Sequence, residues 1–173
     1  QGQVRNINLA AGKLEREVAD GFMKEHPDRT IFVAGSVGPT NKTASMSPDV
    51  SDPAYRAVTY LDLYSAYKEQ VDALVDGGVD IVLFETTFDT LNVKAGLEAA
   101  EAVLKEKGKD LPIMLSLTLS AQGGRTFSGQ TLLAFLASVQ HTNIVSVGLN
   151  CSFGAADMKP FLAELAKHAP YYI

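Results

Sequence analysis

Apolar and polar positions follow two periods along this chain. Short apolar, mostly β-branched runs at Thr30 to Ala34, Asp80 to Phe84, Pro112 to Thr118 and Ile144 to Leu149 each give way to stretches where apolar residues recur every three or four positions. Such alternation is the pattern of βα units around a parallel sheet. After the first run, a helix is predicted from Arg56, with Val58, Leu61, Tyr64, Tyr67, Val71, Leu74 and Val75 on its apolar stripe. Gly77-Gly78 ends it, where a left-handed residue is least strained. Asp89 or Thr90 caps the next helix, whose stripe is Leu91, Ala95, Leu97, Ala100 and Leu104, with Gly108 past its end. Ser128 precedes a third stripe of Leu132, Phe135, Leu136 and Val139, and a last helix runs through Phe161, Leu162 and Leu165. The opening segment from Asn8 to Lys24 also reads as helix, with no strand before it. Tyr171-Tyr172-Ile173 reads as the start of a fifth strand.

Strand starts at Asp80, Pro112 and Ile144 lie 32 residues apart, close to the roughly 30 of a βα unit. The runs are apolar on both faces, as parallel strands covered by helices should be. Two architectures fit, a doubly wound open sheet and a (β/α)8 barrel. A barrel takes about 250 residues, so with four clear strands it would be incomplete. No low-complexity tract, charge block or linker divides residues 1–173, which read as one domain. The long non-periodic stretch from Ser36 to Pro53 is rich in Thr, Ser, Pro, Asn and Gly, and a connection of that length is usually functional or disordered.

Charge and composition narrow the partners. Fifteen Lys and Arg stand against 20 Asp and Glu, a formal net charge of −5, and no Lys/Arg cluster offers a nucleic-acid face. No apolar run approaches the roughly 18 residues that cross a bilayer. Cys151 is the one cysteine, so no intramolecular disulfide can form and a reducing, cytoplasmic setting is expected. The sequence opens on Gln1 with no basic-then-apolar leader, as a processed or excised piece would.

In either architecture ligands bind at the carboxyl ends of the strands, and each strand here ends in polar residues. They are Gly35-Ser36-Val37-Gly38-Pro39-Thr40-Asn41, Glu85-Thr86-Thr87, Thr118-Leu119-Ser120 and Asn150-Cys151-Ser152. If the strands are parallel and adjacent, these groups converge on one rim. Glu85, directly after a buried run, needs a cationic partner: a substrate ammonium, or a salt bridge or helix cap within the protein. Cys151 at a strand exit suits a metal ligand or nucleophile, against the ordinary alternative of a small core residue. His26, His141 and His168 fall in helices or at helix ends, away from that rim, so the chain alone cannot assemble a conventional zinc site. Gly123-Gly124-Arg125-Thr126 could cradle an anion but lacks the spacing of a phosphate loop and reads equally as a solvated βα loop. Lys42 has no surroundings that would desolvate it for Schiff-base chemistry, and Tyr55, Tyr60, Tyr64 and Tyr67 read as helix packing.

At these strand ends the sequence resembles the homocysteine-binding module of the cobalamin-dependent methionine synthases. The matching stretches are Val33-Ala-Gly-Ser-Val-Gly-Pro-Thr-Asn-Lys-Thr-Ala-Ser-Met-Ser-Pro-Asp-Val50, Glu85-Thr-Thr-Phe-Asp-Thr-Leu-Asn92, Gly124-Arg-Thr-Phe-Ser-Gly-Gln130 and Gly148-Leu-Asn-Cys151. The last element alone indicates the wider class of zinc-dependent homocysteine methyltransferases; the loop from Pro39 to Val50 points to the cobalamin-dependent branch.

The resemblance implies an incomplete (β/α)8 TIM barrel holding strands three through six, with the start of a seventh. It implies zinc bound by three thiolates, with Cys151 as one and the other ligands outside this chain. It implies that Glu85 holds the amino group of homocysteine, and that Ser36, Gly38, Thr118 and Asn150 line the substrate site. Zinc coordination would deprotonate the homocysteine thiol, and the thiolate would take the methyl group of methylcobalamin, giving methionine. The cobalamin and methyltetrahydrofolate modules would belong to the same full-length chain, and these residues by themselves would be inactive. Rival readings are a homocysteine methyltransferase using betaine or S-methylmethionine, a non-catalytic α/β fragment kept for partner binding, and an aldolase-like barrel with phosphate at Arg125.

Overall fold

Local signals decide where each element begins. Thr59 caps the second helix through a reciprocal pair: its side chain accepts from the Asp62 N–H while the Asp62 carboxylate accepts from the Thr59 N–H. The Thr59 hydroxyl, which also donates to the Asp62 carboxylate at 2.6 Å, and then the Thr59 N–H hold that carboxyl below its ordinary range. Asp89 caps the third helix by accepting from the N–H groups of Leu91 and Asn92, and Gly108 closes it in the left-handed region at φ 60°. In the computed structural model, which describes residues 2–120 and 123–173, the elements are α1 (Val4–Glu25), β1 (Ala34–Val37), α2 (Tyr60–Asp76), β2 (Ile81–Thr87), α3 (Thr90–Lys107), β3 (Ile113–Leu117), α4 (Leu132–Val139), β4 (Ile144–Leu149) and α5 (Ala155–His168).

The four strands form one sheet in the order β1-β2-β3-β4, every pair parallel. Consecutive order without a switch point excludes the doubly wound alternative and leaves an arc of a barrel wall. A parallel bridge joins Ser146 to Tyr172, with the Val147 N–H donating to the Tyr172 carbonyl at 2.9 Å, so Tyr171-Tyr172-Ile173 does begin to pair along the free edge of β4.

Right-handed crossovers put the helices on one side of such a sheet, and burial follows the pleat. Val37, Val82, Phe84, Ile113, Leu115, Leu117 and Val147 are buried. Phe84 shows what they face: its ring sits edge-on to Tyr67 of α2 at 6.0 Å and against Gly96 of α3. The opposite face carries Ala34, Ser36, Leu83, Glu85, Met114, Ser116, Ser146, Gly148 and Asn150, none of them buried. At the amino-terminal end of the sheet Asp80 accepts from Arg16 Nη1 at 2.7 Å and the Val33 N–H at 2.8 Å, tying α1 to the wall. On the outside Tyr60 donates to Glu98 at 2.5 Å, and burial, with Glu98 second, pushes its hydroxyl up to about 12.

Several boundaries differ from the sequence expectation. The run from Thr30 to Val33 lies outside β1, whose register with β2 begins at Ala34 opposite Ile81; the Val33 carbonyl accepts from the Asp80 and Ile81 N–H groups at 2.8 and 3.2 Å, while Ile31 and Phe32 before it are exposed. β2 runs past Phe84 to Thr87, so Glu85 is inside the strand rather than after it. α2 begins at Tyr60, four residues after Arg56, where the Thr59–Asp62 cap sets it. α4 is capped by Thr131, not Ser128, whose hydroxyl instead donates to the Phe88 carbonyl at 3.3 Å. α1 starts at Val4, one turn before Asn8. No helix among the described residues is long and apolar enough to cross a membrane.

Candidate functional site

The polar strand ends meet as the pattern requires. The Thr118 N–H donates to the Thr87 carbonyl at 2.9 Å and the Asn150 N–H to the Leu117 carbonyl at 3.0 Å, which carries the register of β2, β3 and β4 beyond their last paired residues. Glu85 lies half-buried on the open face, and its Oε1 accepts a hydrogen bond from the Ser36 hydroxyl on β1. Among the described ion pairs none involves Glu85.

The end of β4 is built around one amide. Asn150 Oδ1 accepts from the Ser116 hydroxyl at 2.7 Å and from the Thr86 N–H at 3.2 Å; Asn150 Nδ2 donates to Thr86 Oγ1 at 2.9 Å and to Cys151 Sγ at 3.3 Å. Thr118, itself buried, donates to the Asn150 carbonyl at 3.2 Å. Thr86, Cys151 and Ser152 hold φ of 57°, 59° and 62°. Threonine there is uncommon and strained, and such backbone concentrates at functional sites. The register irregularity between Phe84 and Thr87 coincides with it. Cys151 is exposed, so the core-packing alternative for it does not hold. Gly38 is half-buried, and a Cβ there would meet nothing within 4 Å.

The long connection after β1 is ordered by α3. Asn92, buried, accepts from the Ala44 N–H at 2.9 Å and donates to Thr40 Oγ1 at 3.0 Å and to the Lys42 carbonyl at 2.9 Å. Asp89 accepts from the Ser45 hydroxyl as well as capping α3. The sequence reading identified Asp89 only as a cap and missed Asn92 as the anchor. A buried loop backbone must find partners, and an Asx pair at the start of the facing helix was the available signal.

Other candidates fall away from the rim. His26, His141 and His168 sit at or just past the carboxyl ends of α1, α4 and α5, at the end of the wall opposite Cys151. Arg125 is exposed and donates to its own loop through the Gly129 carbonyl at 3.0 Å. Among the described residues no group of three His, Cys, Asp or Glu could hold a metal ion. The thiol of Cys151 suits zinc chemically, but the residues described do not by themselves make a three-thiolate centre.

The family model for homocysteine S-methyltransferase matches residues 1–173. This chain belongs to the homocysteine S-methyltransferase family. Its fold is that of the homocysteine methyltransferase MmuM from Escherichia coli: the apo form aligns with a TM-score of 0.74 at 21% identity over 96% of this chain, and the metallated form with 0.74 at 22% over 94%. The chain spans about half the length of those structures, 56% and 54%. The sheet described above is thus a partial barrel wall of this family, and Glu85 and Cys151 stand at its carboxyl-terminal rim.

Proposed function

We propose that these residues form the substrate-holding arc of a homocysteine methyltransferase barrel of the cobalamin-dependent methionine synthase type. The observation that carries the reading is a half-buried carboxylate within β2, outside every described ion pair, and an exposed thiol just past β4 at the carboxyl-terminal side of one sheet, in a chain that matches the family throughout. Glu85 would receive the ammonium group of homocysteine, oriented by Ser36, with Gly38 leaving room beside it and Thr118 and Asn150 forming the wall behind. Cys151 would be one zinc ligand, its companions coming from residues outside these 173.

In the reaction the sulfur of homocysteine bonds to the methyl carbon while the bond from that carbon to the donor breaks, its electron pair staying with the donor. The thiol proton leaves before attack, because the thiolate is the nucleophile. The long loop from Pro39 to Val50, held by Asn92 and Asp89, supports methylcobalamin, delivered by a separate module, as the donor. A cytoplasmic, reducing compartment suits an exposed lone thiol. The likeness to MmuM supports a second reading, with betaine or S-methylmethionine as donor and the same acceptor.

Offering homocysteine to the full-length protein with methylcobalamin, betaine or S-methylmethionine in turn separates the two. Methionine is expected with methylcobalamin alone. Formation with either of the others and not with methylcobalamin would contradict the donor assignment, and none with any donor would contradict the acceptor as well. The 173-residue chain is expected to be inactive with all three.

A further inference from the structure

The resemblance makes Asn150 a substrate contact, but its hydrogen bonds point elsewhere. A side-chain amide offers two N–H donors and one oxygen with two acceptor sites. In Asn150 the two donors go to Thr86 Oγ1 and Cys151 Sγ, and the oxygen takes Ser116 Oγ and the Thr86 N–H. The amide is filled from within the protein and keeps nothing for a ligand.

Its partners lie on β2, on β3 and just past β4; one is the neighbour of Glu85 and another is Cys151 itself. Thr86 follows Glu85, and its left-handed backbone is gripped at both the N–H and the hydroxyl. Cys151 follows Asn150, also in the left-handed region, with its sulfur receiving the remaining N–H. A β-branched residue holds such a backbone only when its surroundings over-determine it. Here one amide grips Thr86 at its N–H and hydroxyl and reaches Cys151 at its sulfur.

We propose that Asn150 is a positioning residue: by bridging Thr86 and Cys151 it fixes the Glu85 carboxylate and the Cys151 sulfur relative to one another across β3, without touching substrate. This rests on the homocysteine reading of the same site. Misplacing both groups should harm both capture of the amino acid and turnover, whereas loss of a simple substrate contact would act on KM alone.

Asn150→Asp is the sharpest probe, since it keeps the acceptors and removes both donors. In the full-length protein, assayed with homocysteine and the donor the wild type uses, it is expected to lower kcat at least tenfold and raise KM several-fold, in line with the 10- to 100-fold effects of residues that orient others. Asp80→Asn is the stability control, because Asp80 lies at the other end of β2, about 16 Å from Glu85 along the strand. It is expected to lower the melting midpoint with kcat and KM unchanged. Should Asn150→Asp fail to fold, Thr86→Ala removes one donor's target and is expected to lower kcat several-fold in folded protein. Wild-type kinetics in Asn150→Asp, or in Thr86→Ala if that variant must stand in, would overturn the positioning role alone, as would a rise in KM with kcat intact. Absence of homocysteine turnover by the wild type would overturn the functional reading together with it.

Discussion

Glutamine in place of Glu85 is expected to raise the KM for homocysteine about 10- to 100-fold, in step with the roughly 1.5–3 kcal/mol of a hydrogen bond to a charged group. Glutamine keeps the size of the side chain and still accepts from the Ser36 hydroxyl, so the local packing survives while the charge goes. Among the described residues no Lys, Arg or His pairs with Glu85, so its removal orphans no internal cation and the melting midpoint should shift by no more than about 2 °C, as for a surface substitution within roughly 0.5 kcal/mol. Ser36→Ala should follow in the same direction with a smaller effect, because it frees the carboxylate to rotate without removing it. Steady-state kinetics of the full-length protein with varied homocysteine check both. A KM within twofold of wild type for Glu85→Gln would mean that the ammonium group is held elsewhere.

The largest stability effect is expected where α1 crosses α2. Gly12 and Gly77 meet backbone to backbone: a Cβ on Gly77 would lie 2.9 Å from the Gly12 Cα and 3.1 Å from the carbonyl oxygens of Leu9 and Leu74. None of these atoms belongs to a flexible side chain, so Gly77→Ala can be accommodated only by moving the helices apart. Overpacking of this kind costs about 1–3 kcal/mol, or roughly 4–8 °C in melting midpoint near 2 kcal/mol. Gly21, also in α1, meets nothing within 4 Å, and Gly21→Ala should instead stabilise by about 0.5–1 kcal/mol through helix propensity. Thermal or urea denaturation of the two variants side by side gives the contrast. Equal midpoints would mean that the two helices do not approach as described.

Those two glycines illustrate what a linear pattern conveys. Gly77-Gly78 was legible as the end of a helix, and Gly78 does take φ 91°, but that Gly77 is small in order to admit α1 depends on a residue 65 positions earlier (77 − 12). The alternation of strands and helices was legible because each apolar stripe answers a burial need local to its own element, and β4 was read at its observed bounds from Ile144 to Leu149. β1 was misread because its register with β2 begins only at Ala34, opposite Ile81. β2 was read short because Glu85-Thr86-Thr87 breaks the apolar run while still pairing.

The candidate site divides along the same line. That Ser36, Glu85, Thr118, Asn150 and Cys151 share a rim followed from parallel strands alone, since every strand in such a sheet delivers its carboxyl end to the same side. The bonds among them did not follow. Nothing in Glu85-Thr86-Thr87 marks Thr86 for a left-handed backbone, and a β-branched residue argues against it. The partner that its N–H and hydroxyl find there is the Asn150 amide, 64 residues away. A loop's anchors hide for the same reason: Asn92 sits in a helix whose own pattern it fits, and its role is visible only from the Thr40 and Ala44 that reach it.

The central claim is that the rim joining Glu85 and Cys151 serves methyl transfer to homocysteine, and Cys151→Ser in the full-length protein tests it most directly. The measurement is methionine formed from homocysteine, wild type and variant side by side. Serine keeps the size and the hydrogen-bonding reach of the thiol at an exposed position and removes the soft sulfur that zinc favours. Methionine from the wild type and a loss of at least 100-fold in Cys151→Ser is the result this account predicts. Undiminished methionine formation by Cys151→Ser would contradict it.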